Sequence, residues 1–333
     1  NITAKQMYDE LMVAMADKGH CYLLLDEIQE ITGWERAVNS LLEGADADIY
    51  VTGSNSKLMS SEISTYLTGR YVSIPVYTLS FREYLDFKAD STLSRKELLE
   101  EYIRFGGFPI IALSEYDAQN AYQIVNGIYH TVVSRDIVKR HRINKQDLFD
   151  RVVKFIIENV GKTFSANSIS TFLKSEHCKV SLESIYNYLR WLEQAFIIYP
   201  CERYDLQGKS ILKTQEKYYL ADVSLKYALL GYNRKMLDGA MENIVFLELK
   251  RRGYDVYIGK NDTKEIDFVA TRRDERIYVQ VCVQLPAGSD REVGSLMEIR
   301  DHYPKYVVTL NDMDVGIENG IKIVHLQDFL LAE

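Results

Sequence analysis

The sequence predicts an α/β protein built in three parts, and three observations predict it. Up to about residue 90, short apolar runs alternate with helical patterns, as they do when crossover helices cover a parallel sheet. Between 161 and 221 two helical stretches precede two apolar strands, and from 236 a helix gives way to a series of strands. The 333 residues, 47% hydrophobic and 26% charged, suffice for two or three domains.

In the first part, 1–90, Ile2, Met7, Leu11 and Met15 mark one face of a helix already under way, so the expectation is a chain whose natural start lies upstream. Tyr22-Leu23-Leu24-Leu25 reads as a buried strand and Ile49-Tyr50-Val51 as a second. Val72-Ser73-Ile74-Pro75-Val76 reads as a third, its proline suiting an irregular or edge position. Ser80 with Glu83, and Ser94 with Glu97, have capping-box spacing, so helices begin at both. Over 91–160 apolar residues such as Tyr122, Val125, Ile128 and Val132 keep helical spacing. Gly106-Gly107-Phe108-Pro109 turns the chain there, and the segment reads as a helical lid.

The segment 161–235 has its own order. Ser165 caps one helix, a second starts at Ser181 with Leu182, Ile185, Leu189 and Leu192 on one face, and strands at 196–199 and 218–220 flank a polar loop around Gly208. This is the order of a winged helix-turn-helix. Glu183, near the start of the second helix, would repel phosphates, which leaves a small packing domain as the alternative. In the last segment, 236–333, a helix over 242–252 is ended by Gly253, and strands follow at 256–258, 266–270, 277–283, 306–310 and 321–325.

Composition narrows the classes. A net charge of -8 argues against a generally basic nucleic-acid coat. Cys21, Cys178, Cys201 and Cys282 form no C-x-x-C pair, as expected of reduced thiols in a cytoplasmic protein. No apolar run reaches membrane-spanning length, so no membrane partner is expected. His177 beside Cys178 lacks a second pair at ligand spacing, and the 24 tyrosines are dispersed through core-like positions.

The chemistry concentrates in the first part. A strand running into Asp26-Glu27 suits a nucleotide hydrolase: a carboxylate at a strand's carboxyl end holds the Mg²⁺ that bridges phosphates, and a neighbouring glutamate polarises the attacking water. The next strand runs into Thr52-Gly53-Ser54-Asn55, placing an amide at the same sheet edge to hold that water. Gly69-Arg70 follows, where a guanidinium can meet charge on a transferring phosphoryl group.

These stretches resemble a family of bacterial and archaeal AAA+ ATPases with a nuclease-like C-terminal domain of unknown function, and the likeness runs through essentially the whole chain. It is carried by Leu23-Leu24-Leu25-Asp26-Glu27-Ile28-Gln29, Thr52-Gly53-Ser54-Asn55-Ser56, Leu67-Thr68-Gly69-Arg70-Tyr71, Leu79-Ser80-Phe81-Arg82-Glu83-Tyr84, Gly106-Gly107-Phe108-Pro109, Ser134-Arg135-Asp136-Ile137, and Glu242-Asn243-Ile244-Val245 with Glu265-Ile266-Asp267-Phe268-Val269. The resemblance implies a P-loop NTPase core using ATP and Mg²⁺, with Asp26 and Glu27 as the Walker B pair, Asn55 as sensor 1, Arg70 as an arginine-finger candidate and Arg135 in the lid. It also implies a restriction-endonuclease-like C-terminal core with Glu242, Asp267 and Gln280 around a metal.

Two departures qualify this. The phosphate-binding loop expected two strands before Asp26 has no match upstream, so the segment reads as a truncated core, inactive as it stands. Gly161-Lys162-Thr163 is no substitute, because Ile156 stands where the motif needs glycine. In the C-terminal core Cys282 takes the lysine position, and a thiol cannot replace the cation that positions the water. Lys250 and Lys264 are the displaced ammonium candidates. The reading is an ATP-driven switch with a non-cleaving, partner-binding C-terminal domain. Its rivals are a DNA-binding regulator acting through the winged helix and a metal-dependent nuclease. DNA, a protein or a second copy of the chain stay open as partners.

Overall fold

The computed structural model describes residues 2–54, 67, 69–113, 117–143, 145–286 and 291–332. The chain divides into two compact units, Asn1–Val76 with Gln194–Phe196, and Tyr77–Glu193 with Ile197–Glu333.

In the smaller unit α1 (Ala4–Met15) starts at a capping box in which Thr3 and Gln6 exchange backbone-to-side-chain hydrogen bonds. Then come β1 (Cys21–Leu25), α2 (Trp34–Gly44) and β2 (Ala47–Val51). The two strands pair in parallel, Leu23 opposite Ile49 and Leu25 opposite Val51. Met7, Ile28, Trp34, Ala37, Val38 and Leu67 form the core, with Leu25, Ile49 and Val51 packed against it. The expected burial of 22–25 holds for one face only. Successive side chains of a strand point to opposite faces, and Tyr22 and Leu24 are exposed. The third expected strand, 72–76, does not form: the segment joins no ladder, Val72, Ile74 and Val76 are exposed, and Pro75 has no N–H to offer a partner.

In the larger unit α3 (Phe81–Phe87) and α4 (Arg95–Phe105) begin at the expected capping boxes of Ser80 and Ser94. Gly106 ends α4 at φ +74°, and Pro109 opens a single turn, Pro109–Ala112. Helix α5 (Ala118–Val132) runs into a π-helical stretch, Val133–Val138. Helices α6 (Gln146–Glu158), α7 (Ala166–Ser175) and α8 (Leu182–Gln194) precede the hairpin of β3 (Ile198–Asp205) and β4 (Ser210–Leu220). Next come α9 (Ser224–Leu230), α10 (Leu237–Arg251), β5 (Asp255–Asn261), β6 (Lys264–Arg272), β7 (Glu275–Val281), α11 (Arg291–Met297), β8 (Lys305–Thr309), β9 (Gly316–Glu318), β10 (Ile321–His325) and α12 (Leu326–Leu331).

Among the described residues these strands make one eight-stranded sheet in the order β4-β3-β5-β6-β7-β8-β10-β9. The hairpin expected as a wing is therefore one end of the C-terminal sheet, joined by parallel pairing of Arg203 with Ile258. The expected boundaries at 160 and 235 both fall inside this unit. No helix among the described residues is long and apolar enough to cross a membrane.

The Gly106-Gly107 turn is shaped by close approach. Asp222, 2% exposed, accepts the Gly107 N–H at 2.8 Å and both the N–H and hydroxyl of Ser224. A Cβ on Gly106 would lie 1.7 Å from Asp222 Oδ1, and one on Gly107 2.3 Å from the Leu79 carbonyl. Gly127, within α5, meets nothing within 4 Å. Denaturant unfolding of the full chain should therefore show Gly106→Ala destabilised by about 3 kcal/mol or more, through overlap and a positive φ. In the same assay Gly127→Ala should gain about 0.5–1 kcal/mol, because alanine loses less backbone freedom in a helix.

Candidate functional site

The carboxyl ends of β1 and β2 are stitched together through Thr52. Its N–H donates to the Leu25 carbonyl at 2.9 Å, its carbonyl accepts from the Ile28 N–H at 3.2 Å, and its hydroxyl donates to Asp26 Oδ1. The Glu27 N–H reaches the Thr52 hydroxyl oxygen at 3.4 Å. Glu27 is held at φ +49°, a left-handed conformation uncommon for this residue type, which ends the strand abruptly and opens the turn Ile28–Glu30. Its Oε2 accepts from the Ser54 hydroxyl at 3.1 Å and from the Gln29 amide.

Asp26 and Glu27 thus share one edge of the sheet, as the sequence predicts. Asp26 is exposed and Glu27 half-buried. Asp26 Oδ2 has no protein partner among the described residues, which leaves a hard oxygen donor of the kind Mg²⁺ takes. Asn55, the expected sensor, lies outside the described residues. Arg70, half-exposed, donates to Asn39 Oδ1 at 3.0 Å and to Glu43 Oε1 at 3.2 Å, so its guanidinium contacts α2 and not the two carboxylates. Sequence reasoning missed Thr52 and Gln29, although Thr52 opens the Thr52-Gly53-Ser54 stretch that drew notice for its amide.

The larger unit holds a second constellation. Glu242 on α10 and Asp267 on β6 come together around Lys217 of β4, with Glu265 beside them. Gln280 on β7 accepts the Asp267 N–H at 3.2 Å. Burial pushes the Glu242 carboxyl up against the opposing pull of Lys217 and Tyr219, and burial with the Glu242 charge pushes Asp267 well above the usual carboxylate range. Burial opposes charge on Lys217 as well, but Glu242, Asp267 and Glu265 outweigh it and hold the ammonium above its ordinary pKa. Cys282 packs in an apolar cluster with Ile266, Val293 and Leu296, and burial pushes its thiol up to about 12, so it is neutral. Lys217, which sequence reasoning missed, brings an ammonium to this centre, and of the two lysines named from the sequence Lys264 pairs with Glu298 at 2.6 Å instead. A lysine inside the apolar strand run that continues Tyr218-Tyr219-Leu220 was the available signal. At the π-helical stretch, Arg135 and Arg140 both bond the buried Asp136 carboxylate, at 3.1 and 3.3 Å.

Residues 1–85 match the AAA domain, and residues 96–235 match a domain of unknown function, DUF8612. An uncharacterized protein of Haemophilus influenzae is 38% identical over 98% of this chain and 81% of its own length. An uncharacterized protein of Methanocaldococcus jannaschii is 30% identical over 94% of this chain and 74% of its own. A solved structure, the Walker-type ATPase of Pyrococcus abyssi, aligns with TM-score 0.43 at 14% identity over 68% of this chain and 65% of that one.

The isosteric Thr52→Val variant removes the hydroxyl that joins the two strand ends. Hydrogen exchange at the Glu27 and Ile28 amides should quicken by about tenfold, the loss of one net hydrogen bond in local stability, and Thr52→Ser should restore most of it.

Proposed function

Because the chain belongs to the family of these Haemophilus influenzae and Methanocaldococcus jannaschii proteins, and its residues 1–85 match the AAA domain, we propose that it is the Walker B half of an ATP-driven switch. One observation carries this reading: two carboxylates stand at one sheet edge, each fixed by a hydroxyl from the end of the next strand. Asp26 would hold Mg²⁺, which when bound neutralises phosphate charge. Glu27, oriented by Ser54 and Gln29, takes the proton of the attacking water. Asn55 orients that water, and Arg70 meets charge on the phosphoryl group, in its own site or a neighbour's. Phosphate binding needs a loop that these residues do not supply. For the helices that precede the hairpin, and for the sheet that the hairpin extends, we keep the reading of a winged helix and a nuclease-like core that bind a partner without cutting it.

The test uses the protein in a form that binds ATP. Glu27→Gln should keep nucleotide binding while hydrolysis falls at least about tenfold, since the base is lost and the Mg²⁺ ligand kept. Undiminished turnover would remove Glu27 from the mechanism.

Arg70→Ala should slow hydrolysis with little change in ATP affinity, as for a group that acts mainly in the transition state. If Arg70 serves a neighbouring subunit, Glu27→Gln subunits mixed with Arg70→Ala subunits should recover activity. No recovery despite co-assembly would assign Arg70 to its own site or to the α2 contacts of Asn39 and Glu43.

A further inference from the structure

A nuclease-like core keeps two or three carboxylates together so that a divalent cation can sit between them. Here Glu242, Glu265 and Asp267 do stand together, but an ammonium is already among them. Lys217 Nζ lies 2.8 Å from Glu265 Oε1, 3.4 Å from Glu242 Oε2 and 3.9 Å from Asp267 Oδ1, and its side chain is 3% exposed. Glu265 and Glu242 are within reach of its N–H donors, and Asp267 faces it as a counter-charge.

Other donors fall on the same groups. The Tyr219 hydroxyl donates to Glu242 Oε2 at 3.2 Å, the Val281 N–H to Asp267 Oδ2 at 2.8 Å, and the Asp267 N–H to the Gln280 side-chain oxygen at 3.2 Å. A divalent metal of the usual size needs several of these oxygens at about 2.0–2.2 Å, free of other donors. Among the described residues no group of three His, Cys, Asp or Glu is arranged to hold one. The donor set therefore does not fit a metal as it stands.

We propose that the Lys217 ammonium is the resident cation of this centre, standing where a nuclease-like core takes a divalent metal and locking the β3–β4 hairpin to α10 and β6. The consequence is chemical as well as structural. A lysine on this scale supplies charge but has no open coordination position through which to bind and activate a water, so the centre holds the fold and performs no hydrolysis.

The proposal predicts that deleting the ammonium creates a metal site. Binding of Mn²⁺ to the full chain would be followed by electron paramagnetic resonance and by thermal shift, with Asp267→Asn separating this centre from any site at Asp26. The unsubstituted chain should show no Mn²⁺ binding that depends on Asp267. Lys217→Ala should gain one saturable Mn²⁺ site, lost again in Lys217→Ala/Asp267→Asn. If Lys217→Ala is unfolded without metal, circular dichroism should show it refolding as Mn²⁺ is added. Asp267-dependent Mn²⁺ binding by the unsubstituted chain would overturn the proposal. So would a Lys217→Ala chain that neither binds Mn²⁺ nor refolds in its presence.

Discussion

The carboxylate of Asp222 is the point about which the larger unit is assembled. A buried carboxylate needs donors, and here they come from two places far apart in sequence: the Gly107 N–H and the N–H and hydroxyl of Ser224. Three donors are not enough to offset its desolvation, and burial still raises its carboxyl pKa. The bond to Gly107 requires the chain at 106–107 to come so near that no side chain fits at either position. Leu79 follows from the same approach, since its N–H donates to the Gly107 carbonyl at 2.7 Å and its own carbonyl accepts from Tyr102 at 2.8 Å. A glycine pair that reads in sequence as a turn is thus a contact with the turn between β4 and α9 and with the segment that leads into α3.

The same rule governs two other buried charges. Asp136, 3% exposed, has the guanidinium groups of Arg135 and Arg140 on its two oxygens. Such a pair contributes little net stability, because desolvation consumes most of the Coulombic gain. Its weight shows on disruption: Asp136 stripped of both guanidinium groups would be a charge that the interior cannot solvate. The Lys217 ammonium depends on its carboxylates in the same way.

Local rules made much of the fold legible. Capping boxes at Ser80 and Ser94, and the cap at Ser165, start helices where the sequence predicts them, because capping is satisfied within four residues. The strand at 321–325 and the edge carrying Asp26 and Glu27 were equally plain. What escaped was non-local. The β3–β4 hairpin has the length and order of a wing, and nothing within it says that Arg203 will pair with Ile258. The exposed run 72–76 has strand composition, but a ladder depends on a partner elsewhere. Lys217 escaped for that reason too, since its three carboxylates lie 25, 48 and 50 residues on.

The two acidic constellations differ in the occupancy of their oxygens, and this separates their roles better than residue type does. Asp26 spends one oxygen on a neutral hydroxyl, keeps the other without a protein partner among the described residues, and is exposed. A hydroxyl fixes a carboxylate's direction without neutralising it, so the charge stays available to a cation from solution. Asp267 has one oxygen on a backbone N–H and the other toward an internal ammonium, with almost no exposure. Any cation arriving there must displace Lys217 from three carboxylates at once, and the displaced ammonium would be left buried without a counter-charge. A centre with its charge met from within the chain is closed to exchange, whereas one oriented and left open keeps an oxygen that a cation from solution can reach.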